Sequence, residues 1–146
     1  MPALKQIKTL PYSAQKIYEL VMDIEKYPEF LPWCKQAKII QEISKQNLHA
    51  DLLINFKSFF EKYRSNVSHG KSGLNAYFVD VVAIEGPFKK LVNQWQFRDL
   101  ENGECEVKFF IEFEFNSILL TKMLSPIFKK AAEKMMAAFE ERAGKI

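Results

Sequence analysis

The chain has 146 residues, 48% of them hydrophobic and 27% charged, with a formal net charge of +3. That length predicts one domain spanning residues 1–146, large enough to bury roughly 70% of its unfolded surface. The apolar runs are too short to span a bilayer, and the two cysteines, Cys34 and Cys105, suggest no disulfide framework, so a soluble protein is expected.

In chain order, residues 3–10 read as a first strand. Tyr12-Ser13 starts a helix, with Ser13 as N-cap, Tyr12 placed to staple onto Ile17, and Ile17, Leu20, Val21 and Ile24 as the buried stripe. Pro28 and Pro32 cut Glu25–Cys34 into a short helical turn or compact loop. It carries Tyr27, Phe30, Leu31 and Trp33, more apolar surface than a connector needs.

From Lys35 to Phe115 the hydrophobic period is two. Leu48, Ala50, Leu52, Ile54 and Phe56 alternate with His49, Asp51, Asn55 and Lys57, giving a strand with one wet face. Residues 59–69 follow as a strand, with Gly70-Lys71-Ser72-Gly73 as the turn after it. Leu74–Ile84 is apolar on both faces in its second half and is broken by Glu85-Gly86-Pro87. Leu91, Trp95 and Phe97 face inward on the next strand, and Asn102-Gly103 makes a tight turn. In the last strand Cys105, Val107, Phe109, Ile111, Phe113 and Phe115 face inward against Glu104, Glu106, Lys108, Glu112 and Glu114. Cys105 on that apolar face reads as plain core.

After Asn116 the spacing becomes helical. Leu120, Met123, Leu124, Ile127, Phe128, Ala131, Met135 and Phe139 recur at three and four. Ser125-Pro126 reads as an N-cap and first helical position, so a short segment leads into a longer main helix, and Gly144 ends it. The predicted class is α+β: a curved antiparallel sheet, two short N-terminal helices, and one long C-terminal helix closed against the sheet. Residues 117–146 hold six Lys/Arg against three acids, while the other 116 residues hold fifteen of each. The charge excess therefore lies on the C-terminal helix, either as a solvated face or as a contact for anionic lipid or RNA through Lys122, Lys129, Lys130 and Lys134.

Catalytic constellations are not found. His49 falls on a wet strand face and His69 beside glycine, neither at a metal-ligand spacing, and no phosphate-binding glycine loop or HExxH occurs. No cofactor, metal or catalytic residue is assigned, and no enzyme is expected. Phe109, Phe113, Trp95, Met123, Ile127 and Met135 would face the space between sheet and helix, whether that space is solid core or a lined cavity. By alternation Asn93 falls beside Trp95, and Tyr63 and Ser65 beside Val67. A few polar groups in an apolar concavity suit a small-molecule pocket, and structural packing or a buried water would satisfy them equally.

Asp23-Ile24-Glu25-Lys26-Tyr27-Pro28-Glu29-Phe30-Leu31-Pro32-Trp33-Cys34 resembles the signature of the coenzyme Q-binding START-domain family. Gly86-Pro87-Phe88-Lys89-Lys90-Leu91 with Trp95 and Phe97 resembles its second characteristic segment, and Ala138–Ala143 its C-terminal helix. The family includes mitochondrial ubiquinone-binding proteins and bacterial relatives named polyketide cyclases or ribosome-association toxins. The resemblance implies a helix-grip (START/Bet v 1-like) fold with an internal cavity. It also implies a ubiquinone or similar isoprenoid ligand, carried or chaperoned in support of respiratory electron transport.

On that reading the cavity and its gate comprise Phe30, Leu31, Trp33, Tyr63, Phe88, Leu91, Asn93, Trp95, Phe109, Phe113, Met123, Ile127 and Met135. The gates are two loops, Tyr27–Cys34 and Gly86–Lys90, whose aromatics would otherwise simply plug the end of the sheet. The chain opens Met1-Pro2-Ala3-Leu4, without a targeting presequence, so a bacterial member is expected, cytoplasmic or peripheral at the inner membrane. The alternatives are a toxin-like protein that associates with the large ribosomal subunit and inhibits translation, and, more weakly, a polyketide cyclase-like enzyme. DNA is not an expected partner.

Overall fold

The computed structural model describes residues 3–56 and 59–146; Lys57, expected on a wet strand face, and Met1-Pro2 lie outside them. In chain order the elements are β1 (Ala3–Leu10), α1 (Ala14–Met22), a 3-10 helix (Ile24–Glu29), β2 (Cys34–Ser44), β3 (Asn47–Phe56), β4 (Phe59–Gly73), β5 (Ala76–Glu85), β6 (Phe88–Asp99), β7 (Cys105–Phe115) and α2 (Ile118–Ala143). Seven strands form one antiparallel sheet ordered β1-β7-β6-β5-β4-β3-β2. After the β1–β7 pairing, every further neighbour is a hairpin partner, which is why short turns suffice from β2 to β7.

Local chemistry sets the element starts. The Ser13 Oγ accepts from Lys16 N at 3.1 Å, and Ala14 N donates to Asp99 Oδ1 at 2.7 Å, which ties the first turn of α1 to the end of β6. The expected α1 stripe is buried, Ile24 from the following 3-10 helix included. On β7 all six inward residues expected from the alternation are at most 3% exposed. Asp51, expected on a wet face, is instead covered: Arg64 Nε and Nη2 reach its two oxygens at 2.7 and 3.2 Å. The guanidinium holds its carboxyl below the usual carboxylate range.

Two expectations are corrected. Gly70-Lys71-Ser72-Gly73 belongs to β4, and the turn is Leu74-Asn75, closed by the Gly73–Ala76 pair with Asn75 at φ 58°. Asn tolerates that left-handed conformation, so glycine is not required there. Gly70 answers a different need: its φ of 150° is a backbone conformation that residues with a Cβ rarely adopt. Second, Pro126 does not begin a helix. Residues 118–143 form one helix, N-capped by Ser117, whose Oγ accepts from Leu120 N at 3.2 Å. Pro126 is exposed, so the carbonyl it leaves unpaired lies on the solvent side, while Leu124 and Phe128 bury on the other side of the same turn.

Candidate functional site

The inner face of the sheet and the buried face of α2 enclose a cavity of about 60 Å³, room for roughly four waters. The strand register builds one wall. Val67 pairs with Val81, Val81 with Asn93, and Asn93 with Ile111, a row of four inward side chains from β4 to β7. Leu52 and Tyr63 pair alongside it. Phe128, Ala131, Ala132, Met135 and Phe139 of α2 form the opposite wall, and Ile24, Tyr27, Leu31 and Trp33 close one end.

Few polar groups reach this chamber, and most are already engaged. Asn93 Nδ2 donates to Phe110 O at 3.0 Å, and Trp95 Nε1 donates to Asn93 Oδ1 at 3.0 Å, which leaves one Asn93 N–H. Ser65 Oγ donates to Ala50 O at 3.4 Å, and the Tyr27 hydroxyl donates to Val21 O. Tyr63 differs. It is 8% exposed and lines the chamber, yet its hydroxyl has no hydrogen-bond partner among the described residues.

Burial raises the pKa of both tyrosines, so each hydroxyl stays a protonated donor, and it pushes the nearby Cys34 thiol up to about 12. Among the described residues no charged side chain lines the chamber. A neutral apolar space with protonated donors suits a neutral molecule bearing hydrogen-bond acceptors. It supplies no general base or thiolate. Among the described residues no group of three or more His, Cys, Asp or Glu is placed to hold a metal ion.

Of the residues predicted for cavity and gate, Leu31, Trp33, Tyr63, Leu91, Asn93, Trp95 and Met135 line the chamber. Six do not. Phe109 lies edge-on to Trp95 at 4.7 Å, and Phe113 packs 4.1 Å from Phe128, so both are solid core. Phe88 stacks on Phe115 at 4.8 Å and meets Tyr63 edge-on at 5.1 Å. The Gly86–Lys90 segment is thus a plug, anchored further by Asn116 N donating to Pro87 O at 2.8 Å. Phe30 packs on Phe139 at 5.1 Å under the Arg142 guanidinium. Met123 is 59% exposed, because the buried stripe of α2 runs through Leu124, Phe128, Ala132, Met136 and Phe139, sharing Leu124, Phe128 and Phe139 with the predicted stripe but shifted so that Met123 falls outside it.

Ile127 lines a second space, a surface groove of about 320 Å³ that it shares with Lys130, Lys134 and Pro32. Leu31, Trp33, Phe56, Ala131 and Met135 border both groove and chamber. One layer of side chains therefore separates them. In that layer Trp33 is half-buried and stacks on Phe56 at 5.9 Å. Lys122, Lys129, Lys130 and Lys134 are all exposed.

Leu52, Ile54 and Val81, whose strand alternation is legible, and Phe128, Ala132 and Phe139, whose helical spacing is equally so, also line the chamber and are not among the residues predicted for it. Tyr27, expected in the Tyr27–Cys34 gate loop, lines the chamber as well.

The profile of the family described as polyketide cyclase / dehydrase and lipid transport matches residues 10–140. The chain is 42% identical over its whole length to Ribosome association toxin RatA of Rickettsia prowazekii, of which it covers 99%. It is 31% identical over 143 residues, 95% of the chain, to Coenzyme Q-binding protein COQ10 homolog B, mitochondrial, of Xenopus laevis, covering 57% of that protein. Neither is named as an enzyme. A START superfamily protein from Mycobacterium smegmatis superposes with a TM-score of 0.79 at 16% identity, covering 98% of this chain and 97% of that one. The architecture is thus the START-like helix-grip expected from the sequence. No helix among the described residues is long and apolar enough to cross a membrane.

Proposed function

The chain belongs to the polyketide cyclase / dehydrase and lipid transport family, and from that premise we propose that it sequesters an isoprenoid quinone such as ubiquinone. The observation that carries this reading is the Tyr63 hydroxyl, a protonated donor without a hydrogen-bond partner among the described residues in a mostly apolar chamber. A quinone carbonyl would accept from it, and the spare N–H of Asn93 offers a second donor. The isoprenoid tail would lie along Leu, Met and Phe side chains, each buried methylene contributing about 0.8 kcal/mol.

The chamber as it stands is too small for such a ligand, whose pockets run roughly 300–1,000 Å³. Loading requires the Trp33–Met135 layer to part, so that chamber and groove become one space. The tail then occupies the groove and the ring occupies the chamber. No bond is made or broken: the role is a carrier or chaperone supporting respiration, in the cytoplasm or at the inner membrane, and not an enzyme. Solvent extraction of the purified protein followed by mass spectrometry tests this. Near-stoichiometric quinone supports it, and protein that neither carries nor takes up quinone refutes it.

A second reading is association with a ribosomal subunit. The name of the 42%-identical relative and the exposed lysines of α2 favour it. Co-sedimentation with isolated subunits, lost when those lysines are replaced by glutamine, is its test.

A further inference from the structure

We propose that the outer face of the first half of α2 docks on an anionic phospholipid bilayer, with the groove opening onto the lipid surface. The inference deepens the quinone reading and rests on it only for what passes through the groove.

The first half of α2 is unusual in what it leaves in water. Ile118, Leu119 and Met123 are 78, 67 and 59% exposed, and Pro126 is exposed beside them. Leu119, Lys122, Met123, Pro126, Lys129 and Lys130 are spaced by three and four, so they share one side of the helix. That side faces away from the stripe of Leu124, Phe128 and Ala132 that packs on the sheet. Between Ile118 and Ala132 the helix carries three lysines and no acid. Among the described residues none of the three forms an ion pair.

The second half of the same helix is different. Glu140 pairs with Lys8 at 2.6 Å, Arg142 with Glu29 at 2.7 Å, and Lys145 with Glu141 at 3.2 Å. Among the described residues most of the charge at that end is paired within the protein, Glu133 and Lys134 excepted. The uncompensated charge and the uncovered aliphatic side chains coincide on one helical half, the composition of an element that lies in a membrane interface. Leucine and methionine enter the headgroup boundary while lysine stems extend toward lipid phosphates. An RNA partner would use the lysines but leave Leu119 and Met123 in water, so the bilayer accounts for both features.

The pose has a consequence for the site. Lys130 belongs to this face and also lines the groove, with Ile127 and Lys134. Docking therefore sets the groove at the level of the lipid headgroups, behind which Trp33 and Met135 form the last layer before the chamber.

Flotation of the full chain with vesicles of phosphatidylcholine, with and without phosphatidylglycerol, tests the proposal. The wild type should float only with the anionic vesicles and release as salt is raised. Replacing Lys122, Lys129 and Lys130 with glutamine should weaken binding on the order of 100-fold, about 5-fold per lysine. Leu119→Asn with Met123→Asn keeps the charge and should still weaken it at least about 10-fold. Both substituted sets are exposed, and melting curves check that they fold; the salt titration of the wild type needs no variant. Equal flotation with neutral vesicles, or an apolar variant that binds like the wild type, overturns the proposal. So does a wild type that ignores vesicles and binds ribosomal subunits through the lysines. Quinone content is measured in the same preparations: unchanged quinone with lost flotation is failure of docking alone, and absent quinone with normal flotation is failure of the cavity reading alone.

Discussion

Removing the Tyr63 hydroxyl should lower ligand affinity without lowering stability, a combination that a structural tyrosine would not give. Tyr63 is 8% exposed, and its ring is held edge-on against Phe88 at 5.1 Å. Gly86 closes on it from the other side, where an added Cβ would lie 2.6 Å from Tyr63 Cβ. Phenylalanine keeps all of that packing. In the ligand-free protein Tyr63→Phe breaks no hydrogen bond to the described residues, so the expected change in stability is close to zero. With a quinone carbonyl in place, the variant loses one hydrogen bond with a net worth of about 0.5–1.5 kcal/mol, roughly 2- to 12-fold in Kd. Urea unfolding of delipidated protein gives the first quantity. Quenching of Trp33 and Trp95, which both line the chamber, by a short-tailed quinone gives the second. A destabilisation above about 1 kcal/mol with unchanged Kd would refute the reasoning, because the hydroxyl would then be a structural donor.

Other substitutions separate core from chamber. Phe113→Ala, in the packed region against Phe128, should cost about 3–5 kcal/mol in denaturant unfolding while the folded fraction binds quinone normally. Trp33→Ala should do the reverse, speeding quinone release in stopped-flow chase experiments more than it lowers the melting temperature. It thins the layer between chamber and groove, so normal release with a collapsed melting temperature would assign Trp33 to the core. His69 accepts from or donates to the Tyr18 hydroxyl at 2.7 Å, and burial holds its imidazole below the usual histidine pKa. The unfolded chain therefore takes up this proton at higher pH than the folded one. The stability concerned is present above about pH 6.5 and is lost as pH falls through the folded pKa. His69→Gln should flatten that part of the melting-temperature profile, and an unchanged slope would exclude His69 as its source.

The faces of the strands are legible because the pleat repeats every two residues: Cys105 to Phe115 alternates with the single exception of the outward Phe110, and the structure buries every inward member. The face of α2 is not, because its first half carries apolar residues on both sides. Leu120, Leu124, Ile127 and Phe128 turn toward the protein, while Ile118, Leu119 and Met123 turn toward solvent. The spacing of three and four admits Met123 to the stripe and leaves out Ala132 and Met136, which are 2 and 3% exposed. A small side chain is a weak signal of hydrophobicity and a strong one of close approach. Pro126 misled for a related reason, since its cost depends on whether the freed carbonyl faces water, and that follows from the tertiary face.

Periodicity gives the face of a residue and not the distance between layers, which decides whether an inward side chain meets another or meets space. Phe97, Phe109, Phe113 and Phe115 all point inward and all lie outside the chamber wall, whereas Tyr63, Ser65 and Asn93, inward polar positions on β4 and β6, line it beside Phe56 and Trp95; the inward His69 and Asp99 are taken up by Tyr18 and the Ala14 amide of α1 instead. The difference is physical. An aromatic ring fills the volume it faces, so rows of phenylalanine mark where sheet and helix touch. A polar group facing inward costs free energy unless something accepts or donates to it, so it persists where strand backbone, water or a ligand is within reach. Here Tyr63, whose hydroxyl has no hydrogen-bond partner among the described residues, marks the cavity more specifically than the phenylalanines around it.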